Sequence, residues 1–212
     1  HLNILGTAVG AYGIEPDPDK ATFPNVNLET AVGRDKGIKL RLPFVIPGLG
    51  STDVAKNNWE GLAIGSAISG TILTIGENIC GMDMNAEIVN GRVIRSPDME
   101  RRVKLFQDWY EGYGAIVVQE NVEDSRLGVL EYVIEKLGVQ VVELKWGQGA
   151  KDIGGEVKIR DLEKAKTLKD RGYVVLPDPY DPMVAENFYR TYKEFERHSR
   201  IGFVDEESFV KR

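Results

Sequence analysis

Two lysines and a glutamine surround two glycines in Lys145-Trp-Gly-Gln-Gly-Ala-Lys151. Glycine lets backbone N–H groups come close to a ligand, and lysine supplies charge for a carboxylate, a phosphate or an electron-rich ring. The other reading of this segment is a plain strand-to-helix turn with solvated lysines. Period-2 counting along Val139-Gln-Val-Val-Glu-Leu-Lys145 weighs against that for Lys145, because it sets the residue at the mouth of a sheet. Gly48-Leu-Gly-Ser-Thr52 could cradle a ring or an anion with its backbone, although most such loops only turn the chain. Gly76-Glu-Asn78 and Gln119 end two further apolar runs with polar groups. Four loops thus bring polar chemistry to one rim.

Other residues point to less. Cys80 has no histidine near it in sequence and reads as a small buried apolar residue. His198 stands among Glu196, Arg197 and Arg200, as a surface residue does. Arg171, Lys164, Lys166 and Lys169 read as a solvated face, and Phe188, Tyr189, Tyr192 and Phe195 as core packing. The chain has no zinc-ligand spacing, phosphate-binding Walker loop, serine nucleophile elbow or G-x-G-x-x-G after a strand. No metal ligand is expected.

Strands and helices must hold these loops in place. Lys39-Leu-Arg-Leu-Pro-Phe-Val-Ile46 reads as a strand, and Asp53 as the N-cap of a helix to about Ile68 with Trp59, Leu62, Ala63 and Ala67 on one face. Thr71–Ile75, Ala115–Gln119, Val139–Lys145 and Tyr173–Leu176 are four more strands. Val89-Asn-Gly-Arg92 signals a hairpin, and Ser96-Pro97 opens a helix running to Gly112 through Met99, Val103, Phe106 and Tyr110. A helix capped by Ser125 carries Leu127, Leu130, Ile134 and Leu137 and ends at Gly138. Asp161–Arg171 and roughly Val184–Arg197 are the last helices. Strands alternating with helices predict βα units and a parallel sheet. Because the polar groups gather at strand ends, a (β/α) barrel is favoured over a doubly wound sheet. The domain division is an irregular, Gly- and Pro-rich N-terminal layer over 1–37, with one short strand, and an incomplete barrel over 38–212.

The chain has 212 residues, 42% of them hydrophobic, enough for one sizeable core and against a disordered, fibrous or disulfide-rich class. Acidic residues outnumber basic ones 33 to 27, for a net charge of −6, so no basic footprint for nucleic acid or an anionic membrane is present. One cysteine forms no internal disulfide, which suits a reducing compartment and a cytoplasmic location. No apolar run reaches the ~18 residues that span a bilayer. Five strands occupy the chain where a closed barrel needs about 250 residues. Asp205-Glu-Glu-Ser-Phe-Val-Lys-Arg212 reads as the start of another helix, and His1 as a tag remnant or the start of a fragment. The chain is therefore expected to be the front part of a longer polypeptide.

Glu143-Leu-Lys-Trp-Gly-Gln-Gly-Ala-Lys-Asp-Ile-Gly-Gly155 resembles the Lys-x-x-Gln-Gly-Ala-Lys-Pro-Gly-Glu-Gly-Gly motif of the FMN-binding synthase domain of the glutamate synthase large-subunit family. In matching order, Glu29-Thr-Ala-Val-Gly33 is similar to that family's opening segment, and Pro47-Gly-Leu-Gly-Ser51 to its flavin loop. Val118-Gln119 with Ser125-Arg-Leu-Gly-Val129 resembles its Gln-x-x-Ser-Gly-Arg-Phe-Gly-Val, and Leu176-Pro-Asp-Pro179 its later Pro-rich loop. The resemblance implies a (β/α)8 barrel, of which the chain holds roughly the first five βα units. It implies FMN across the strand ends and hydride transfer from reduced flavin to 2-iminoglutarate, formed from 2-oxoglutarate and ammonia, to give L-glutamate. Gly48, Gly50 and Ser51 would meet the flavin through backbone groups, and Gln119 would bond the ring edge. Lys145 would sit near flavin N1, and Glu77 matches an acidic residue of the family's Thr-Gly-Glu/Asp-Gly-Gly loop; these two are the catalytic candidates. Gln148 and Lys151 would hold substrate carboxylates, with Arg126 assisting.

The sequence also departs from the family pattern. Pro47, Gly48 and Leu49 replace Met, Ser and Phe in the flavin loop, and Asn78 replaces a glycine. Asp152-Ile-Gly-Gly155 loses a glutamate, and Tyr180 and Asp181 stand where the family has histidines. The phosphate-gripping loops and the cysteines of an iron–sulfur cluster belong to later segments in that family, and electron-donor and ammonia-supplying subunits would be its partners. Two alternatives stay open: a related flavin barrel acting on another amino or keto acid, and a non-catalytic partial-barrel module.

Overall fold

An alternating run becomes a strand only where its backbone groups find a neighbour, and Pro43 removes one N–H from the run over 39–46. In the computed structural model, which describes residues 27–34, 37–145, 156–183 and 189–192, that run is two strands rather than the one expected. Thr30–Val32 (β1) pairs antiparallel with Ile38–Leu40 (β2), and Val45–Leu49 (β3) opens a separate parallel sheet.

Asp53–Ser69 (α1) follows. Its N-cap is Thr52, whose hydroxyl accepts from the Ala55 N–H, and not the expected Asp53. Asp53 instead occupies the first turn, where the helix dipole favours an acid. Trp59, Ala63 and Ala67 are buried along the expected face. Next come the fully buried Ile72–Ile75 (β4) and the single turn Ile79–Met82 (α2). Glu87–Val89 (β5) and Arg92–Arg95 (β6) form the expected hairpin, with Asn90 and Gly91 at φ 51° and 73° in its turn.

Pro97–Gln107 (α3) opens as expected, with the Ser96 hydroxyl accepting from the Met99 N–H. It stops before Gly112, so Tyr110 lies beyond the helix and is half exposed. Ala115–Glu120 (β7) leads into Val122–Leu127 (α4) and Val129–Leu137 (α5). The one helix expected there is broken because Gly128, at φ 70°, ends the first piece. Asn121, not Ser125, is the cap: its side chain accepts from the Glu123 and Asp124 N–H groups. Gly138 takes the expected left-handed conformation, and Val141–Leu144 (β8) completes the unit.

The parallel sheet has the order β3-β4-β7-β8, each strand beside its predecessor. Leu73, Ile75, Ile116 and Val118 face the helices, packed on Trp59, Val103, Phe106, Leu127 and Val133. Ile72 and Val117 face the other way, under Leu40 of β2. The helix side holds the larger cluster, and each large side chain buried there stabilises by about 1.5–3 kcal/mol. A four-stranded parallel sheet with its helices on one face is compatible with an arc of an α/β fold. Its four strands do not themselves close a barrel.

The remaining elements differ from the expected fifth βα unit. Glu156–Ile159 (β9), Leu162–Asp170 (α6), Val174–Leu176 (β10) and Tyr189–Tyr192 (β11) form a separate antiparallel sheet of order β10-β11-β9 with α6 against it. Ile159, Ala165, Leu168, Tyr173, Val175 and Tyr189 are its core, and Met82 joins it. β9 lies where the sequence reads as loop, because four residues are too short an alternation to stand out. β11 replaces part of the helix expected over 184–197; Tyr-Arg-Thr-Tyr suits a strand, and the rest of that helix lies outside the described residues. Tyr189 is a core residue, as expected. Arg171 is not solvated: it donates to the carbonyls of Gly81 and Asp83 at 2.8 Å and of Ala86 at 3.2 Å, closing the end of α2.

Candidate functional site

Parallel strands deliver their carboxyl ends to one edge of a sheet, and here the ends of β3, β4, β7 and β8 lie side by side. Gly48 ends β3 with Leu49, while Gly50 and the half-buried Ser51 lead to α1. The Gly76 N–H donates to the Leu49 carbonyl at 3.0 Å. A Cβ on Gly76 would stand 2.6 Å from the Gly50 nitrogen, so only glycine lets these two loops touch. A Cβ on Gly48 would come within 3.0 Å of Gln119 Oε1, and one on Gly50 within 3.0 Å of the Glu77 carbonyl. The loop is held from below by Arg102, whose side chain is fully buried. It donates to the carbonyls of Leu49 at 3.4 Å and Gly50 at 3.2 Å, pairs with Asp98 at 3.4 Å and lies over the Trp59 ring at 5.0 Å.

Lys145 follows β8, with its N–H donating to the Glu120 carbonyl at 2.8 Å. Its ammonium reaches back two strands to Glu77 Oε1 at 2.8 Å. Glu77 is 8% exposed, so its half of the pair is largely desolvated, while Lys145 keeps partial access to solvent. The Gln119 amide donates to Glu143 Oε1 at 2.7 Å across β7 and β8. The structure therefore brings Gly48, Gly50, Gln119, Glu77 and Lys145 together. Arg126 lies on α4 in other company: its Nε and Nη2 grip Glu123 Oε2 at 2.9 and 2.7 Å, and its guanidinium lies over the Tyr173 ring at 5.8 Å. Gln148 and Lys151 lie outside the described residues.

Sequence reasoning missed a buried polar layer under this rim. Asp124 is 1% exposed, and its Oδ2 accepts from the N–H of Asn78 at 2.9 Å and of Asn121 at 3.3 Å. Asn121-x-x-Asp124 is a capping box, a signal that the sequence does carry. Burial, together with the charges of Glu77 and Glu120, pushes the Asp124 carboxyl up to about 7 against the pull of its two N–H donors. Burial likewise raises Glu120, whose Oε1 accepts from the Ser125 hydroxyl at 2.8 Å. Cys80 is buried, and desolvation holds its thiol far above the usual range, which leaves it an inert core group.

Chemically, the rim offers an ammonium and an amide at neighbouring strand ends, each braced by a glutamate. An apolar groove of about 480 Å³, lined by Leu49, Val54, Ala55, Asn58, Gly61 and Leu62, runs beside the first turns of α1. Among the described residues no group of three or more His, Cys, Asp or Glu could hold a metal ion, and no helix is long and apolar enough to cross a membrane. No protein-family model, curated protein or solved structure matches this chain.

Proposed function

We propose that this chain carries the ring-binding rim of an FMN-dependent oxidoreductase of the glutamate synthase type, its four parallel strands being an arc of a (β/α)8 barrel. The observation that supports the reading is the convergence of the glycine-bounded β3 loop, the Gln119 amide and the Lys145 ammonium at the carboxyl ends of four adjacent strands. The donor set fits a flavin ring: an amide and a cation suit its polar edge, and Gly48 leaves open the space that a Cβ would fill beside Gln119. FMN, when bound, would supply hydride chemistry that converts 2-iminoglutarate to L-glutamate. Lys145 would hold positive charge at the ring edge, and Glu77 would fix the direction of that charge. Gln148 and Lys151 would hold the substrate carboxylates. An iron–sulfur cluster, electron-donor and ammonia-supplying partners, and a cytoplasmic setting belong to the same proposal.

One observation favours the alternative of another amino or keto acid. Lys145 is already matched by Glu77, and Glu143 adds a further carboxylate to the rim. Such a rim suits a substrate bearing a free amino group. The test is the flavin spectrum of the purified full-length polypeptide, with its reduction potential and turnover before and after Lys145→Met. The expected result is a yellow protein whose variant has a more negative potential and turnover lower by about 10²–10³. A colourless protein, or unchanged potential and turnover, overturns the reading.

A further inference from the structure

Asn78 adopts a left-handed backbone at φ 65°, ψ 16°, a conformation that asparagine takes more readily than other non-glycine residues. Its N–H is held by a carboxylate from another loop. Asp124 Oδ2 accepts the Asn78 N–H at 2.9 Å, across 46 residues of sequence, while also accepting the Asn121 N–H that closes the α4 cap. The Asn78 N–H lies in the peptide plane that begins at the Glu77 Cα, so holding it steadies the backbone from which the Glu77 side chain leaves. That side chain meets Lys145 Nζ at 2.8 Å. We propose that Asp124 is a positioning residue of the rim: its carboxylate ties the loop after β4 to the loop after β7 and thereby sets Glu77 against Lys145. The link from this clamp to redox chemistry rests on the flavin reading above; the clamp itself does not.

The groups that surround Asp124 give the clamp a pH dependence. Glu77 faces it from the loop after β4, Cys80 from α2, Glu120 from the end of β7 and Tyr173 from the start of β10. Glu123 and Arg126 stand beside Tyr173. Asp124 Oδ1 is buried without a hydrogen-bond partner, which is where a proton would reside. Its carboxyl is pushed up to about 7 in the fold, chiefly by burial, well above the usual carboxylate range. The folded chain therefore binds this proton more tightly than the unfolded one. Stability from this group is full below about pH 4 and is lost as pH rises through about 7. The ionised clamp grips Asn78 harder, at a cost in stability.

The test uses the full chain labelled with nitrogen-15, following the Asn78 amide and the Lys145 ammonium by NMR between pH 5 and 9. In the wild type both signals are expected to inflect near pH 7. Asp124→Asn keeps an acceptor for the two N–H groups and mimics the neutral acid, so both inflections should vanish while the fold persists. Glu120→Gln should leave them in place. Asp124→Ala should speed exchange of the Asn78 amide by at least about tenfold, as loss of a charge-assisted hydrogen bond requires. A flat Asn78 titration, an Asp124→Asn variant that still titrates, or inflections abolished by Glu120→Gln instead would each overturn the proposal. None of these readings needs a flavin. If they hold in a protein that binds no FMN, the clamp stands and the flavin reading falls; if FMN binds but Asn78 does not titrate, the reverse follows.

Discussion

Lys145→Met removes the ammonium from a pair whose other half cannot retreat into water. The Glu77 side chain is 10% exposed and that of Lys145 27% exposed, with 2.8 Å between Nζ and Oε1. Methionine matches the length of the lost side chain, so packing changes little. What remains is the largely buried charge of Glu77 without the Lys145 ammonium. Breaking a fully buried pair costs about 3–5 kcal/mol, and an exposed pair contributes about 0–1 kcal/mol. The partial exposure of Lys145 places this one between, at about 2 kcal/mol. A domain of this size shifts by roughly 2–4 °C per kcal/mol, so melting should fall by about 4–8 °C. Glu77→Gln in the same background should restore part of the loss. The assay is a double-mutant cycle of Lys145→Met and Glu77→Gln by denaturant unfolding, with a coupling of about 1–2 kcal/mol expected. Additivity within about 0.3 kcal/mol would refute the pair, and with it the bracing of Lys145 by Glu77.

Gly76→Ala forces a Cβ to within 2.6 Å of the Gly50 nitrogen, where only backbone can yield, and should destabilise by about 1–3 kcal/mol in thermal melts; a neutral effect would mean that the loops are not in contact. Arg102→Met keeps the packing on Trp59 but takes the donors from Leu49 and Gly50, so hydrogen exchange at residues 50–52 should quicken; unchanged protection would show that the loop holds itself. Val142 and Leu144 lie exposed on β8, which among the described residues pairs only with β7. Leu144→Lys should therefore suppress association through that edge in light scattering, and an unaltered mass distribution would place the contact elsewhere.

Local chemistry was enough for much of the framework. Ser96-Pro97 opened a helix, Asn90-Gly91 turned a hairpin and Gly138 closed α5 because each feature needs only its neighbours in sequence. Period-2 counting likewise carried the parallel strands and brought Lys145 to the rim. Boundaries failed where a second local rule competed. Pro43 split one strand, Gly128 split one helix, and Asn121 outbid Ser125 as the cap because its own N3 residue, Asp124, completes the box.

Pairings over long separations had no trace in the sequence. Glu77 and Lys145 lie 68 residues apart, Asp124 and Asn78 46, and Arg102 and Gly50 52. Nothing local obliges a carboxylate on one loop to meet an amide on another; the register of β4 against β7 and of β7 against β8 does so. The same holds for the last strands. Tyr173–Leu176 looks like any apolar strand, and its own residues cannot say whether it adds to β8 or turns to pair with β11. Strand propensity is a property of the chain, but the choice of partner is decided by which backbone groups and apolar faces the folded neighbours leave within reach.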